Sequence, residues 1–131
     1  VFEDIDLIHV TVGAALSIHV GDRAHVSDVT YRDIRIADAH GALAEMFIRT
    51  TRYTQDDERG RISGITFDGI HVADGAAGAI LLEGFDEAHG ISDVSFSNVT
   101  AGGKPLGAAD IASFKRTHAK NISWDGEALD G

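Results

Sequence analysis

Short runs of alternating apolar and polar residues recur along this chain, the pattern of strands with one buried face. In the run Val29-Thr30-Tyr31-Arg32-Asp33-Ile34-Arg35-Ile36, Val29 and Tyr31 alternate with polar neighbours, and so do Ile34 and Ile36. From Tyr31 to Ile34 the step is three residues rather than two, so the inward register slips by one at Asp33. The phrase returns as Ile65-Thr66-Phe67-Asp68-Gly69-Ile70-His71-Val72 and as Val94-Ser95-Phe96-Ser97-Asn98-Val99. A shorter echo is Ile122-Ser123-Trp124-Asp125-Gly126, and the chain opens on Phe2-Glu3-Asp4-Ile5-Asp6-Leu7. The aromatic position is thus held by Phe2, Tyr31, Phe67, Phe96 and Trp124, at spacings of 29, 36, 29 and 28 residues.

The slip is occupied by Asp4, Asp33, Gly69, Asn98 and Gly126, residue types that tolerate left-handed backbone and make tight bends. Each unit therefore reads as two short strands meeting at a corner. A further strand follows the aromatic at Leu16–Val20, at Met46-Phe47-Ile48 and at Ala79-Ile80-Leu81-Leu82. The stretch 108–115 suits a short helix or an irregular strand. Strands, corners and a period near 29 predict an all-β fold, a parallel β-helix (solenoid) of about five coils over residues 1–131. Stacked coils would form an internal aromatic column and a polar corner ladder.

Composition narrows the alternatives. Glycine is 15 of 131 residues and proline 1, and the apolar residues are mostly Val and Ile, which argues against a helical bundle. With 44% hydrophobic residues, the chain is not disordered. Eleven Lys and Arg against 21 Asp and Glu leave a formal charge of −10, so nucleic acid and anionic membrane surfaces are not expected partners. No apolar run approaches the ~20 residues of a membrane span. There is no cysteine, which excludes disulfides, thiolate metal sites and a cysteine nucleophile. The start at Val1 reads as a processed chain or a fragment.

The repeat phrase resembles the pectin-lyase-like right-handed single-stranded β-helix superfamily, and within it glycoside hydrolase family 28, the polygalacturonases. The segment Gly13-Ala14-Ala15-Leu16-Ser17-Ile18-His19-Val20-Gly21-Asp22 looks like the coil that carries the family's Gly-His-Gly motif, with alanine where the histidine would stand. One repeat later, Met46-Phe47-Ile48-Arg49-Thr50 resembles the Arg-Ile-Lys strand, with Arg49 at the Lys and Phe47 at the Arg. The resemblance implies the C-terminal portion of a larger domain, a polysaccharide or oligosaccharide as partner, and an extracellular or periplasmic setting. The family's Asn-Thr-Asp and Asp-Asp motifs would lie upstream of Val1. The first strand would then be covered by upstream coils or by self-association.

Glycosidic hydrolysis needs two carboxyl groups across the bond, one protonated and one ionised. Glu45, at the start of the strand that holds Arg49, and Asp22, from the previous repeat, are the candidate pair, with His19 beside them. The rival reading of Glu45 is an edge carboxylate on a solvated face. The 36-residue repeat carries seven extra residues, in the loop 51–60. Insertions in repeat folds gather on one face, often the binding face. There Tyr53 can stack on a sugar and Arg52 can bind carboxylate or hydroxyl groups. Asp56, Asp57 and Glu58 can supply acid or base or, through oxygen, bind Ca2+, and Asp56 and Asp57 can also bind substrate. The bland alternative is a solvated loop whose charges pair with Arg59 and Arg61. Residues 83–90, with three carboxylates and His89, could supply a general acid or base, and otherwise read as a connecting turn. Lys115, Arg116, His118 and Lys120 read as a basic surface patch. The seven histidines show no short metal-ligand spacing.

Three functions follow. The chain contributes groove residues His19, Arg49, Arg52, Tyr53, Asp56 and Asp57 to a glycoside hydrolase, with catalytic carboxylates at least partly outside it. Alternatively it is a non-catalytic carbohydrate-binding or structural module, as the missing Gly-His-Gly histidine suggests. The third reading is a polysaccharide lyase. No metal or cofactor is called for, except Ca2+ under the lyase reading.

Overall fold

A computed structural model describes residues 1–8, 14–21, 23–37, 42–49, 59–73, 78–111 and 113–129. Among these residues eleven strands run in chain order: β1 (Phe2–Leu7), β2 (Leu16–Val20), β3 (His25–Ile36), β4 (Ala44–Ile48), β5 (Arg61–Val72), β6 (Ile80–Glu83), β7 (Ile91–Ala101), β8 (Lys104–Pro105), β9 (Phe114–Thr117), β10 (Ala119–Trp124) and β11 (Glu127–Leu129). A single 3-10 turn, Ala108–Asp110, lies between β8 and β9. One sheet has the order β1-β3-β5-β7-β10-β11, with β8 pairing β7, and a second has the order β2-β4-β6-β9.

The repeated phrases pair with one another in parallel. Phe2 sits opposite Tyr31, Tyr31 opposite Phe67, Phe67 opposite Phe96, and Phe96 opposite Trp124. The closed β-helix predicted from the repeat is not found. The described residues form a seven-stranded mixed sheet and a separate four-stranded parallel sheet, closer to the parallel sheets of α/β proteins than to a solenoid. The reason is physical. A repeat of aromatic and bend positions specifies only which residues stack in a parallel ladder, and open sheets satisfy that as well as a closed coil does. The ladder also ends in antiparallel pairing: β11 folds back on β10, and β8 on β7.

Bends within the long strands follow the residue types. Asp4, Asp33, Gly69 and Asn98 all have positive φ, between 52° and 79°. L-residues other than Asp, Asn and Gly rarely adopt this region. At Gly69 an added Cβ would come within 3.0 Å of the Asp33 side chain and 3.3 Å of its backbone nitrogen. Asp28, Gly64, Asp93 and Asn121 form a second column of left-handed residues, five positions earlier in each strand. Gly126 belongs to neither column. With Asp125, also at positive φ, it makes the two-residue turn between β10 and β11, and Trp124 pairs Glu127 across it. Asp-Gly is the preferred pair for such a turn because both residues must be left-handed.

The core lies between the sheets. Phe2, Tyr31, Phe67, Phe96 and Trp124 stack in sequence, with ring centroids 5.3, 5.0, 4.7 and 5.1 Å apart. Facing them are Leu16, Val20, Met46, Ile48, Ile80 and Leu82 from the four-stranded sheet. Phe114 of β9 meets Phe96 and Trp124 edge-on, tying the two layers together. Trp124 buries its ring and still donates Nε1–H to the Leu106 carbonyl at 2.9 Å. Phe2, at the end of the column, is half exposed; burial of each of the other rings contributes roughly 1.5–3 kcal/mol.

Candidate functional site

Successive side chains of a strand point to opposite faces. On β2, β4 and β6 the residues Leu16, Val20, Ala44, Met46, Ile48, Ile80 and Leu82 go to the core. The alternate positions therefore form the outer face of the four-stranded sheet: Ser17 and His19, Glu45 and Phe47, Leu81 and Glu83, then Lys115 and Thr117 on β9. The parallel register aligns His19, Phe47, Glu83 and Thr117 in one row, and Ser17, Glu45, Leu81 and Lys115 in the next.

Phe47 is the platform of this face. The His19 ring stacks on it with centroids 3.7 Å apart and planes 20° from parallel. The Arg49 guanidinium lies 3.6 Å from the same ring centroid. Two covers this close must take opposite faces of the ring, which leaves an outward-pointing phenylalanine only 6% exposed. His19 Nε2 lies 3.2 Å from Glu45 Oε1. Arg49 reaches Glu45 at 3.9 Å and Glu83 at 3.8 Å, so one guanidinium stands between two carboxylates. Glu45 and Glu83 are diagonal neighbours on adjacent strands, about 8 Å apart at the backbone from the spacing and rise of parallel strands. Beside them an open cleft of about 270 Å3 is lined by Leu81, Glu83, Lys115 and Thr117.

Of the predicted site residues, His19, Glu45 and Arg49 come together here. Asp22, Arg52, Tyr53, Asp56 and Asp57 lie outside the described residues. Phe47, Glu83 and Lys115, read from the sequence as a motif position, a turn residue and part of a surface patch, join the site, as does Thr117. Strand alternation is the signal for Glu83: it stands two residues past Leu81 as Phe47 stands two past Glu45. Among the described residues, no group of three or more His, Asp or Glu could hold a metal ion.

The turn 84–90 connects β6 to β7. Asp86 Oδ1 accepts hydrogen bonds from the His89 backbone N–H at 2.7 Å and from its ring Nδ1 at 2.8 Å. Desolvation raises the Asp86 pKa, but these bonds from His89 outweigh it and hold the carboxyl below its usual range. On β1 and β3, Arg35 binds Asp6 at 2.5 Å and Asp4 at 2.7 Å. The Arg35 hydrogen bond holds the Asp6 carboxyl low, against slight desolvation. The bonds to Asp6 and Asp4 push the Arg35 guanidinium higher still.

No family model matches the chain, and no curated protein or solved structure matches it. No helix among the described residues is long and apolar enough to cross a membrane.

Proposed function

We propose that this chain binds a polysaccharide or oligosaccharide along the outer face of the four-stranded sheet. The observation that carries this reading is the His19–Phe47–Arg49 stack flanked by Glu45 and Glu83. Saccharide hydroxyls are recognised by fixed carboxylate and guanidinium groups, which hydrogen-bond in fork geometry. A sugar laid across the strands meets such groups from β2, β4, β6 and β9 in turn. The repeat phrase's resemblance to polygalacturonases points to the same ligand class, met in an extracellular or periplasmic setting. The Arg49 guanidinium stands between Glu45 and Glu83, at 3.9 and 3.8 Å, which fixes the three groups as a binding surface.

Affinity electrophoresis through gels containing polygalacturonate or a neutral glucan tests the proposal. At least one polymer should retard the protein, and Arg49→Gln and His19→Ala should each weaken retardation about tenfold. No retardation by a broad polymer panel, or variants that migrate as the parent does, would overturn it.

A second reading, groove residues of a glycoside hydrolase, draws on one observation. Glu45 and Glu83 both reach the Arg49 guanidinium, at 3.9 and 3.8 Å, so two carboxyl groups share one face, as a glycosidase pair must. If it holds, reducing sugar is released from the retarding polymer and Glu83→Gln abolishes release while binding persists.

A further inference from the structure

A second cluster lies on the seven-stranded sheet and does not depend on the saccharide reading. Ser27, Ser63, Ser92 and Lys120 stand in one register row across β3, β5, β7 and β10. Two positions earlier, His25 pairs Arg61. Gly90 and His118 directly precede the paired residues Ile91 and Ala119, as Arg61 precedes Ile62. Gly90 therefore contributes no side chain between Arg61 and His118. An open cleft of about 290 Å3 occupies the gap, lined among others by Arg61, Glu87, Ser92, His118 and Lys120.

Its charge runs against the chain's. The protein carries a formal −10, yet this cleft gathers Arg61, Lys120 and His118 around one carboxylate, Glu87. Arg61 is anchored, because its Nε donates to the Ala88 carbonyl at 3.0 Å. That bond leaves both terminal guanidinium nitrogens without an acceptor among the described residues, and Lys120 and His118 have no side-chain partner there either. The nearby Asp86 carboxylate is occupied by His89. A fixed guanidinium, an ammonium and a serine hydroxyl converging on a concave site are the donor set for an oxyanion. The surrounding negative field disfavours a long polyanion, so the fit is to one compact group.

We propose that this cleft binds a single tetrahedral oxyanion, a sulfate or phosphate group. Arg61 supplies the fork, Lys120 the point charge, and Ser92 and His118 the remaining donors.

The test is an amide-resolved NMR titration with sodium sulfate and, separately, sodium phosphate, each against sodium chloride at matched ionic strength. Saturable shifts are expected at Gly90, Ser92, His118 and Lys120 with either oxyanion and not with chloride. Lys120→Gln and Arg61→Gln should each weaken binding about fivefold, the scale of one screened charge contact. Lys104→Gln on β8 should leave it unchanged. Saturation by sulfate alone or by phosphate alone supports the site and identifies the group. Shifts that grow linearly, that chloride reproduces, or whose midpoint Lys120→Gln leaves unchanged would overturn it. Lys120 is exposed and without a partner among the described residues, so that variant remains informative even if Arg61→Gln perturbs folding.

Discussion

Phe67 lies flat on Phe96, with ring centroids 4.7 Å apart and planes 3° from parallel. Both rings are 2% exposed, at the middle of a column that runs from Phe2 to Trp124. Neither can lose its ring without leaving a void between two others. Phe67→Ala should cost about 3–5 kcal/mol. In a chain of this size that lowers Tm by roughly 10–20 °C. Phe67→Leu should cost clearly less. Thermal melts followed by far-UV circular dichroism check both, and equal losses for the two variants would contradict the column's role.

The left-handed bends predict a contrast at one position. Asp33 has φ of 54°, a conformation glycine adopts without penalty. Asp33→Gly should change stability little, whereas Asp33→Val should cost about 1–2 kcal/mol from backbone strain. Urea unfolding of the pair measures the difference, and equal midpoints would be inconsistent with a strained bend.

Gly60 is the closest backbone approach among the described residues that carry no side chain. A Cβ there would sit 1.7 Å from the Ala24 carbonyl oxygen. Since the obstacle is backbone, Gly60→Ala must displace one segment, at about 1–3 kcal/mol or more. The expected readout is a lower Tm with amide shifts at Ala24 and Arg61, whose N–H donates to that carbonyl.

The ion pairs of the candidate face predict a separation of stability from binding. Glu45, Arg49 and Glu83 are 23%, 48% and 52% exposed, and pairs of this kind contribute about 0–1 kcal/mol. Arg49→Gln should therefore leave Tm within a few degrees while weakening polysaccharide retardation. A large stability loss would make the binding result uninterpretable and would assign Arg49 to the scaffold.

Asp6 and Asp86 set an acid limit. Both carboxyls are held below the ordinary aspartate value in the folded chain. A depressed folded-state pKa gives stability that is complete above the unfolded value, near ~3.9, and is lost as pH falls through the folded one. Stability should thus decline below about pH 4. Asp6→Asn and Asp86→Asn should each flatten that decline, read by urea melts between neutral and acid pH.

The pairing of Tyr31 with Phe67 is legible in the sequence because strand alternation and an aromatic period act locally and leave a visible trace. The bend at Asp33 is legible for the same reason: the inward step of three instead of two betrays it. Closure is not. How the ladder of β1, β3, β5 and β7 relates to β2, β4 and β6 depends on the path between them, and the repeat carries no term for that path. Gly126 misleads because Asp-Gly serves a bend and a hairpin equally well, and only the antiparallel partner Glu127 distinguishes them. At the candidate face, His19, Glu45 and Arg49 are readable from neighbouring repeats. Glu83 is hidden by its place at the end of β6, where it reads as the first residue of a turn.

The hairpin at Asp125 and Gly126 gives the large sheet two unlike ends. At one, β11 lies antiparallel over β10. At the other, β1 has β3 as its single neighbour among the described residues and displays Glu3, Asp4 and Asp6. Those carboxylates do not stand alone: Arg35 of β3 holds Asp4 and Asp6, and Arg32 reaches Glu3 at 3.5 Å. The same ladder is thus fastened by cross-strand charge at β1 and β3 and by backbone reversal at β10 and β11.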